Sequence, residues 1–534
     1  MLAHAPVSAA GRALGLRGTA ETRLSMDGIR PYIGILGVLL GSIIATLGSR
    51  VTTLGLADLR GGVHAGFDEG AWITTSFGVG QMLMGLASIY LGAVFGPRRI
   101  LRLGICLFGT ASLLGPLSGN LEALLALQFL AGIGSGTFIP LTISFVVRNL
   151  PARLVIFGIA VYAMNSELSQ NVAASMEGWY SEHWSWRWID WQYCAVLPLM
   201  FACVTYGIPR ERTNLELLRH LDWPGLLYAS VGLSLLYAGL DQGNRLDWRN
   251  SGLIVGLLAG GGVLTAGFLA REMTAKQPFL NLRLLLSGNI PLLMVILAGF
   301  RFIILSTAYI IPNYLQTVQG YRELQVGAVL LWIALPQLIL APLLAWLLRR
   351  VEPRLILALG TALIGIACLM GTQLTSQWAT DDFLPSQILQ AVGQSFALTS
   401  LLVFTIRLFN PADALTIGAL LQVARLFGGE LGTAFMQTWV RVREQLHSAL
   451  VGLHVASTSP GAADRLAQYT AAMGLHTADP GQAAARAQRL LSSTVATQAN
   501  VLAYADGFLA AAVGALLCLF AVALLRYAPR TALA

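Results

Sequence analysis

Residues 31–57 read PYIGILGVLLGSIIATLGSRVTTLGLA, 27 residues with a single charge, Arg50. About 20 apolar residues in a helix span the roughly 30 Å hydrocarbon core of a bilayer. Runs of this kind recur near 71–95, 100–118, 121–147, 154–178 and 189–208, near 222–240 and 252–270, and near 288–314, 325–348, 353–371, 384–406, 413–438 and 504–526. The pattern predicts an all-α polytopic membrane protein of about 14 transmembrane helices.

Composition agrees. Of 534 residues, 56% are hydrophobic and 11% charged, with a mean hydropathy of +0.67, against about 25% charged in an average soluble domain. The net charge of +8 is dispersed through short segments between apolar runs, whereas a nucleic-acid interface needs basic residues gathered on one exposed face, so no nucleic-acid partner is expected. With the N-terminus inside, 21 of the 34 Lys+Arg fall in cytoplasmic segments. This bias predicts a bacterial inner-membrane protein with both termini cytoplasmic, residues 1–30 forming a tail with Arg12, Arg17, Arg23 and Arg30. All five cysteines lie inside apolar runs, as packing residues do, and all seven histidines lie in loops or tails. Neither arrangement suggests a disulfide, a metal site or a nucleophile, and an enzyme is not expected.

The runs divide into a six-helix bundle over 31–208, a two-helix insert over 221–270 and a second six-helix bundle over 288–526. Residues 441–500, rich in Ala and Gln and broken at Pro460-Gly461 and Pro480-Gly481, read as short amphipathic helices on the periplasmic side. Six, two and six is the layout of a repeat-built secondary transporter whose halves rock about a midplane site. The substrate would be a small molecule.

A charge at the bilayer centre costs about 2.5–3.5 kcal/mol on the insertion scale. Counted by helical rise, Glu167, Arg301 and Arg425 fall near mid-depth, and Arg50 and Glu430 nearer the periplasmic side. Arginine keeps its proton, whereas a desolvated glutamate can exchange one. Glu167, and after it Glu430, are therefore the candidate proton carriers, the competing reading being a fixed Glu–Arg clamp between helices. Asn165, Ser166, Gln170 and Asn171 extend a polar patch around Glu167, read as lining a cavity. Gln422 lies one turn before Arg425 on the same face, and this pair serves either substrate or helix packing. Arg301, in Gly299-Phe300-Arg301-Phe302, faces a ligand or snorkels from a helix end. Gln387, Gln390 and Gln394 form a stripe that either lines the path or glues helices. Arg50, Arg301, Arg425, Gln422, Gln390, Gln394, Asn165 and Gln170 make up the candidate substrate contacts. Three buried arginines against two glutamates leave +1, which favours anionic or zwitterionic substrates. Gly132-Ile133-Gly134-Ser135-Gly136, without a preceding strand or following lysine, reads as close helix packing rather than a phosphate loop.

Several local motifs, spread over nearly the whole chain, resemble those of one family. They are Trp72-Ile73-Thr74-Thr75-Ser76-Phe77, Trp186-Arg187-Trp188-Ile189, Gln316 and Gln319 with Gly320, Arg425 followed by Gly428-Gly429 and Gly432, and Gln498-Ala499 leading to Tyr504 and Asp506-Gly507-Phe508. The resemblance is to the fourteen-helix drug:proton antiporters of the major facilitator superfamily, the EmrB/QacA type. It implies proton-coupled export of amphipathic small molecules, powered by the proton gradient without a cofactor. It also implies a gating loop at Gly96, Arg98 and Arg99, and places 441–500 where a periplasmic adaptor, itself joined to an outer-membrane channel, would touch. The chain departs from the family pattern at several points. The loop aspartate is Ala93, the arginine of the fourth helix is Gln128, the antiporter Gly-Pro falls near Ala173-Ala174, and the acid of the first helix falls at Gly48. These losses keep open an alternative, the transport of one defined metabolite or siderophore without proton antiport.

Overall fold

The computed structural model describes residues 29–219, 222–274, 288–408, 414–455, 459–477 and 479–526. Of the predicted tail 1–30, all but residues 29 and 30 lie outside them. Among the described residues the chain is helical, with no strand. Each predicted run falls on one helical rod. These are α1 (Arg30–Leu54), α2 (Trp72–Phe95), α3 (Pro97–Leu114), α4 (Leu121–Gly136, resumed as Phe138–Asn149), α5 (Ala152–His183), α6 (Trp188–Gly207) and α7 (Trp223–Gly243). They continue as α8 (Gly252–Thr274), α9 (Ile290–Ile303, continued by Ser306–Ile310 and Ile311–Thr317), α10 (Glu323–Arg350), α11 (Pro353–Gly371), α12 (Leu384–Leu408), α13 (Ala414–His454) and α14 (Pro480–Leu524).

Eleven helices among the described residues are long and apolar enough to cross a bilayer. The other three rods, α5, α6 and α13, owe their lower hydropathy to polar content. Glu167 sits among Asn165, Ser166 and Gln170 in α5, Asp190 opens α6, and Arg425 and Glu430 interrupt α13.

Small residues set the closest approaches. A Cβ on Gly80 of α2 would lie 2.3 Å from the Phe129 carbonyl oxygen, and one on Gly132 of α4 would lie 2.1 Å from that of Phe77. The Gly132–Gly136 stretch is thus a packing surface where two backbones meet. α5 packs on α10 and α12, while α2 and the second part of α4 pack on α13. α7 lies against both α2 and α13, so the insert flanks this second seam, with α8 packed outside on α7. Val255, Val263, Leu269 and Met273 of α8 are exposed, as suits a lipid-facing helix. At the ends of α5 and α6, Trp179, Tyr180, Trp184 and Trp188 stack in sequence, Trp184 and Trp188 with centroids 4.4 Å apart. Such amphipathic rings favour the membrane–water interface.

Two expectations need correction. Residues 441–500 are not a string of short helices, because α13 runs on to His454 and α14 begins at Pro480, with a helix Pro460–Gly474 between them. The Pro-Gly breaks lie where expected, at helix starts, since a missing N–H costs nothing in a first turn. α7 also continues past residue 240 to Gly243, which brings an unforeseen acid, Asp241, into the protein interior.

Candidate functional site

Between the rods lies a cavity of about 370 Å³, within the size range of small-molecule sites. α1 supplies Arg50, α5 Gln170, α9 Arg301, α13 Arg425 and Glu430, and α7 Tyr237 and Asp241.

The local fold explains how each arginine is held. Ser306–Ile310 is a π-helical turn inside α9, a feature often found at functional sites. Pro312, four residues after Ala308, has no N–H to give the Ala308 carbonyl. Arg50 donates its Nη2 to that oxygen, tying α1 to the irregular turn. Arg301 donates Nη1 to Gln170 Oε1 at 3.2 Å, and Arg425 donates Nε to Gln422 Oε1 at 3.3 Å. Each guanidinium keeps a buried nitrogen without a hydrogen-bond partner, namely Arg50 Nε, Arg301 Nε and Arg425 Nη2. A guanidinium carries five N–H donors, so unused capacity remains on this wall for an acceptor. Arg301 sits well inside the α9 rod, so it is not a helix-end snorkeller.

The acidic groups come from α13 and the insert. Glu430 is buried, and its Oε1 has no partner. Asp241 lies within electrostatic reach of it, and the Tyr237 hydroxyl faces Glu430. Asp241 accepts hydrogen bonds from Thr75 Oγ1 and, at 3.2 Å, from Gln242 Nε2.

Glu167 does not line this cavity. It is 1% exposed and faces an adjoining pocket of about 30 Å³, whose walls include Tyr162, Gln422, Arg301 and Arg425. That volume accommodates a water-sized group but no substrate. Arg301 and Arg425 line both spaces. Glu167 Oε1 is buried without a partner, and among the described residues no ion pair closer than 4.0 Å joins Glu167 to either arginine. The direct Glu–Arg clamp is therefore not the arrangement present. The charge balance also needs revision. The large cavity holds three arginines against Glu430 and Asp241, so its formal +1 arises with Asp241 in the place assigned to Glu167.

Four predicted contacts are displaced from the large cavity, the first being Gln422, which lines only the small pocket beside Glu167. Asn165 donates Nδ2 to Leu39 O and Ser42 Oγ, 3.0 and 2.9 Å away, fixing α5 on α1 away from both spaces. Gln390 and Gln394 lie in a buried ladder instead of on the cavity wall. Gln390 Nε2 reaches Ser306 Oγ at 3.1 Å, and Gln394 Nε2 reaches Thr307 Oγ1 at 3.1 Å and Gln390 Oε1 at 3.2 Å. Asn171 Nδ2 donates to Gln394 Oε1 at 3.2 Å, completing a link from α5 through α12 to the π turn. Buried amides need such partners, and helix neighbours provide them here. In the predicted gating loop, Gly96 adopts φ +88°, Arg98 Nη1 donates to Ile208 O at 3.3 Å and Arg99 Nη1 donates to Thr213 Oγ1. The residues not foreseen are Tyr237 and Asp241. The available signal was an acid directly at the end of an apolar run.

The family model described as Major Facilitator Superfamily matches residues 38–433. The chain belongs to the Major Facilitator Superfamily. Among curated relatives it is 24% identical over 455 residues to the probable multidrug resistance protein EmrY of Escherichia coli K12, covering 83% of this chain and 86% of that protein. It is 24% identical to the colistin resistance protein EmrB of Acinetobacter baumannii, covering 81% of this chain and 85% of that protein. It is 23% identical to the fatty acid resistance protein FarB of Neisseria gonorrhoeae, covering 79% and 83%. The solved structure of the proton:xylose symporter XylE shares the fold, with a TM-score of 0.55 at 13% identity over 91% of this chain and 94% of that one. The human organic anion transporter MFSD10 matches with a TM-score of 0.53 at 13% identity, over 91% and 98%. As a superfamily member with multiple membrane-spanning helices, this is a multi-pass membrane protein.

Proposed function

We propose that this protein is a secondary active exporter of amphipathic small molecules in the bacterial inner membrane, driven by proton entry, without a cofactor and without enzymatic activity. The observation that carries this reading is that Arg301 and Arg425 line both a substrate-sized cavity and the small pocket of Glu167. A deprotonated Glu167 holds the two arginines toward itself. A proton on Glu167 releases them to an anionic group of the substrate. Proton and substrate binding are then linked through the same two side chains. The names of the relatives, concerned with multidrug, colistin and fatty acid resistance, support export and an amphipathic cargo.

The two predicted six-helix bundles would rock across the seams on either side of the cavity, with the loop of Gly96, Arg98 and Arg99 gating the face where both termini lie. On the opposite face the projecting ends of α13 and α14, with Pro460–Gly474 between them, offer a platform for a periplasmic adaptor and, through it, an outer-membrane channel. Efflux of an amphipathic dye from cells with and without a protonophore tests the central claim. Expected is loss of efflux when the proton gradient collapses; energised efflux that persists would overturn proton exchange.

A further inference from the structure

A separate cavity of about 190 Å³ lies at the start of α3, walled by Arg98, Arg99, Arg102 and Arg210 with a single acid, Glu211. Glu211 does not neutralise this cluster. Burial raises its carboxyl above the ordinary range, against the opposing pull of the Arg148 charge. Among the described residues no carboxylate forms an ion pair with any of the four arginines. Three of them contact neutral groups instead, and Arg210 is exposed. Arg98 donates to the Ile208 carbonyl and leaves its Nε buried without a partner, Arg99 donates to Thr213, and the Arg102 guanidinium lies 4.8 Å above the Phe201 ring.

The backbone adds to the imbalance. Gly96, at φ +88°, lets α3 begin abruptly at Pro97, which puts Arg98 and Arg99 in its first turn. A helix N-terminus carries a partial positive charge and favours anions, so two cations there are placed against the dipole. The aspartate that the family pattern would supply just before this point is Ala93. Apolar side chains are exposed on α3 and on α6, the helix whose Phe201 meets Arg102, namely Leu103 of α3 and Leu199 and Tyr206 of α6. Basic pockets between membrane helices beside such surfaces suit the headgroups of anionic lipids.

We propose that this pocket binds the phosphate of an anionic phospholipid whose acyl chains lie along α3 and α6. The lipid neutralises the arginines and joins α3, α6 and the segment leading to α7, so that packing at this face depends on lipid composition.

The test uses the full chain purified in detergent, with thermal unfolding and native mass spectrometry as readouts. The probes are phosphatidylglycerol, phosphatidylcholine and inorganic phosphate at matched concentrations. Phosphatidylglycerol is expected to raise the melting temperature saturably and to remain bound, while the other two do neither. Arg102→Gln with Arg210→Gln should weaken the phosphatidylglycerol response at least tenfold. Arg102→Lys with Arg210→Lys, which preserves charge, should retain most of it, as should Arg349→Gln with Arg350→Gln elsewhere on the protein. If the glutamine pair does not yield folded protein, Arg210→Gln alone is read against Arg210→Lys. An undiminished response in the pocket variants, or an equal loss in the Arg349/Arg350 control, overturns the site. An equal response to inorganic phosphate overturns the lipid assignment.

Discussion

Glu167 and Glu430 are both buried glutamates on polar stretches of otherwise apolar rods, yet their surroundings differ in kind. Glu430 opens on the large cavity with another acid, Asp241, within electrostatic reach. Glu167 is buried beside a pocket too small for substrate, with two arginines that also reach the large cavity. An acid next to cations that have somewhere else to go is suited to pass information between sites. An acid beside another acid on an open wall is suited to contact cargo. The same residue type thus supports two separable roles, coupling and selection, and variants should separate them.

The largest effect is expected from Glu167→Gln. This change keeps shape and removes charge, so it fixes the arginines in the state that a proton would produce. Transport driven by an imposed pH gradient in proteoliposomes should fall about 100-fold, equivalent to roughly 2.7 kcal/mol on the barrier, while substrate binding is retained and loses its dependence on pH. Normal pH-driven transport in this variant would reduce Glu167 to a bystander. Glu430→Gln, at the second candidate carrier, should reduce pH-driven transport less than Glu167→Gln does.

Next come the shared arginines. Hydrogen bonds to charged groups contribute about 1.5–3 kcal/mol, so Arg301→Gln or Arg425→Gln should weaken binding of an anionic substrate by about tenfold or more. Equilibrium binding to the purified protein measures it. A loss that is equal for anionic and cationic ligands would point to damaged packing and erase the proposed distinction between the two walls.

A smaller effect, of about threefold to tenfold as expected for roughly 1 kcal/mol, should follow Asp241→Asn. It should shift preference toward anionic cargo and away from cationic cargo without abolishing pH-driven transport. Competition between a cationic and an anionic dye in the same efflux assay reads it. An unchanged preference would exclude the insert from the substrate path.

Asp241 also marks how far the sequence carries. Long apolar runs fix helical rods strongly, because a backbone in lipid must satisfy its own hydrogen bonds, and each of the predicted runs falls on such a rod. Ends of runs are weaker signals. The apolar run ends near residue 240, whereas α7 continues to Gly243 and brings Asp241 to the cavity. Periodicity shows that Gln387, Gln390 and Gln394 share a face, but not what that face meets. Its partners, Ser306 and Thr307, sit on a π turn that no local spacing announces. The long projections of α13 and α14 were hidden for a related reason, since Ala- and Gln-rich sequence continues a helix as readily as it starts a new one.

The smallest effect tests that last distinction directly. Gln394 donates to Thr307 and Gln390 and accepts from Asn171, so Gln394→Leu removes three hydrogen bonds, two of them between membrane helices. At about 0.6 kcal/mol each on average, the loss is roughly 1–2 kcal/mol of stability. It should appear as a lower melting temperature and reach the assay only as reduced yield. Per folded molecule, transport should stay within about twofold, because the side chain faces neither the large cavity nor the Glu167 pocket. A large fall in specific transport at normal stability would move Gln394 from the framework to the path. It would also mean that coupling runs from Glu167 through α12 as well as through the two arginines, since Asn171 ties the Gln394 ladder to the Glu167 backbone carbonyl at 3.0 Å.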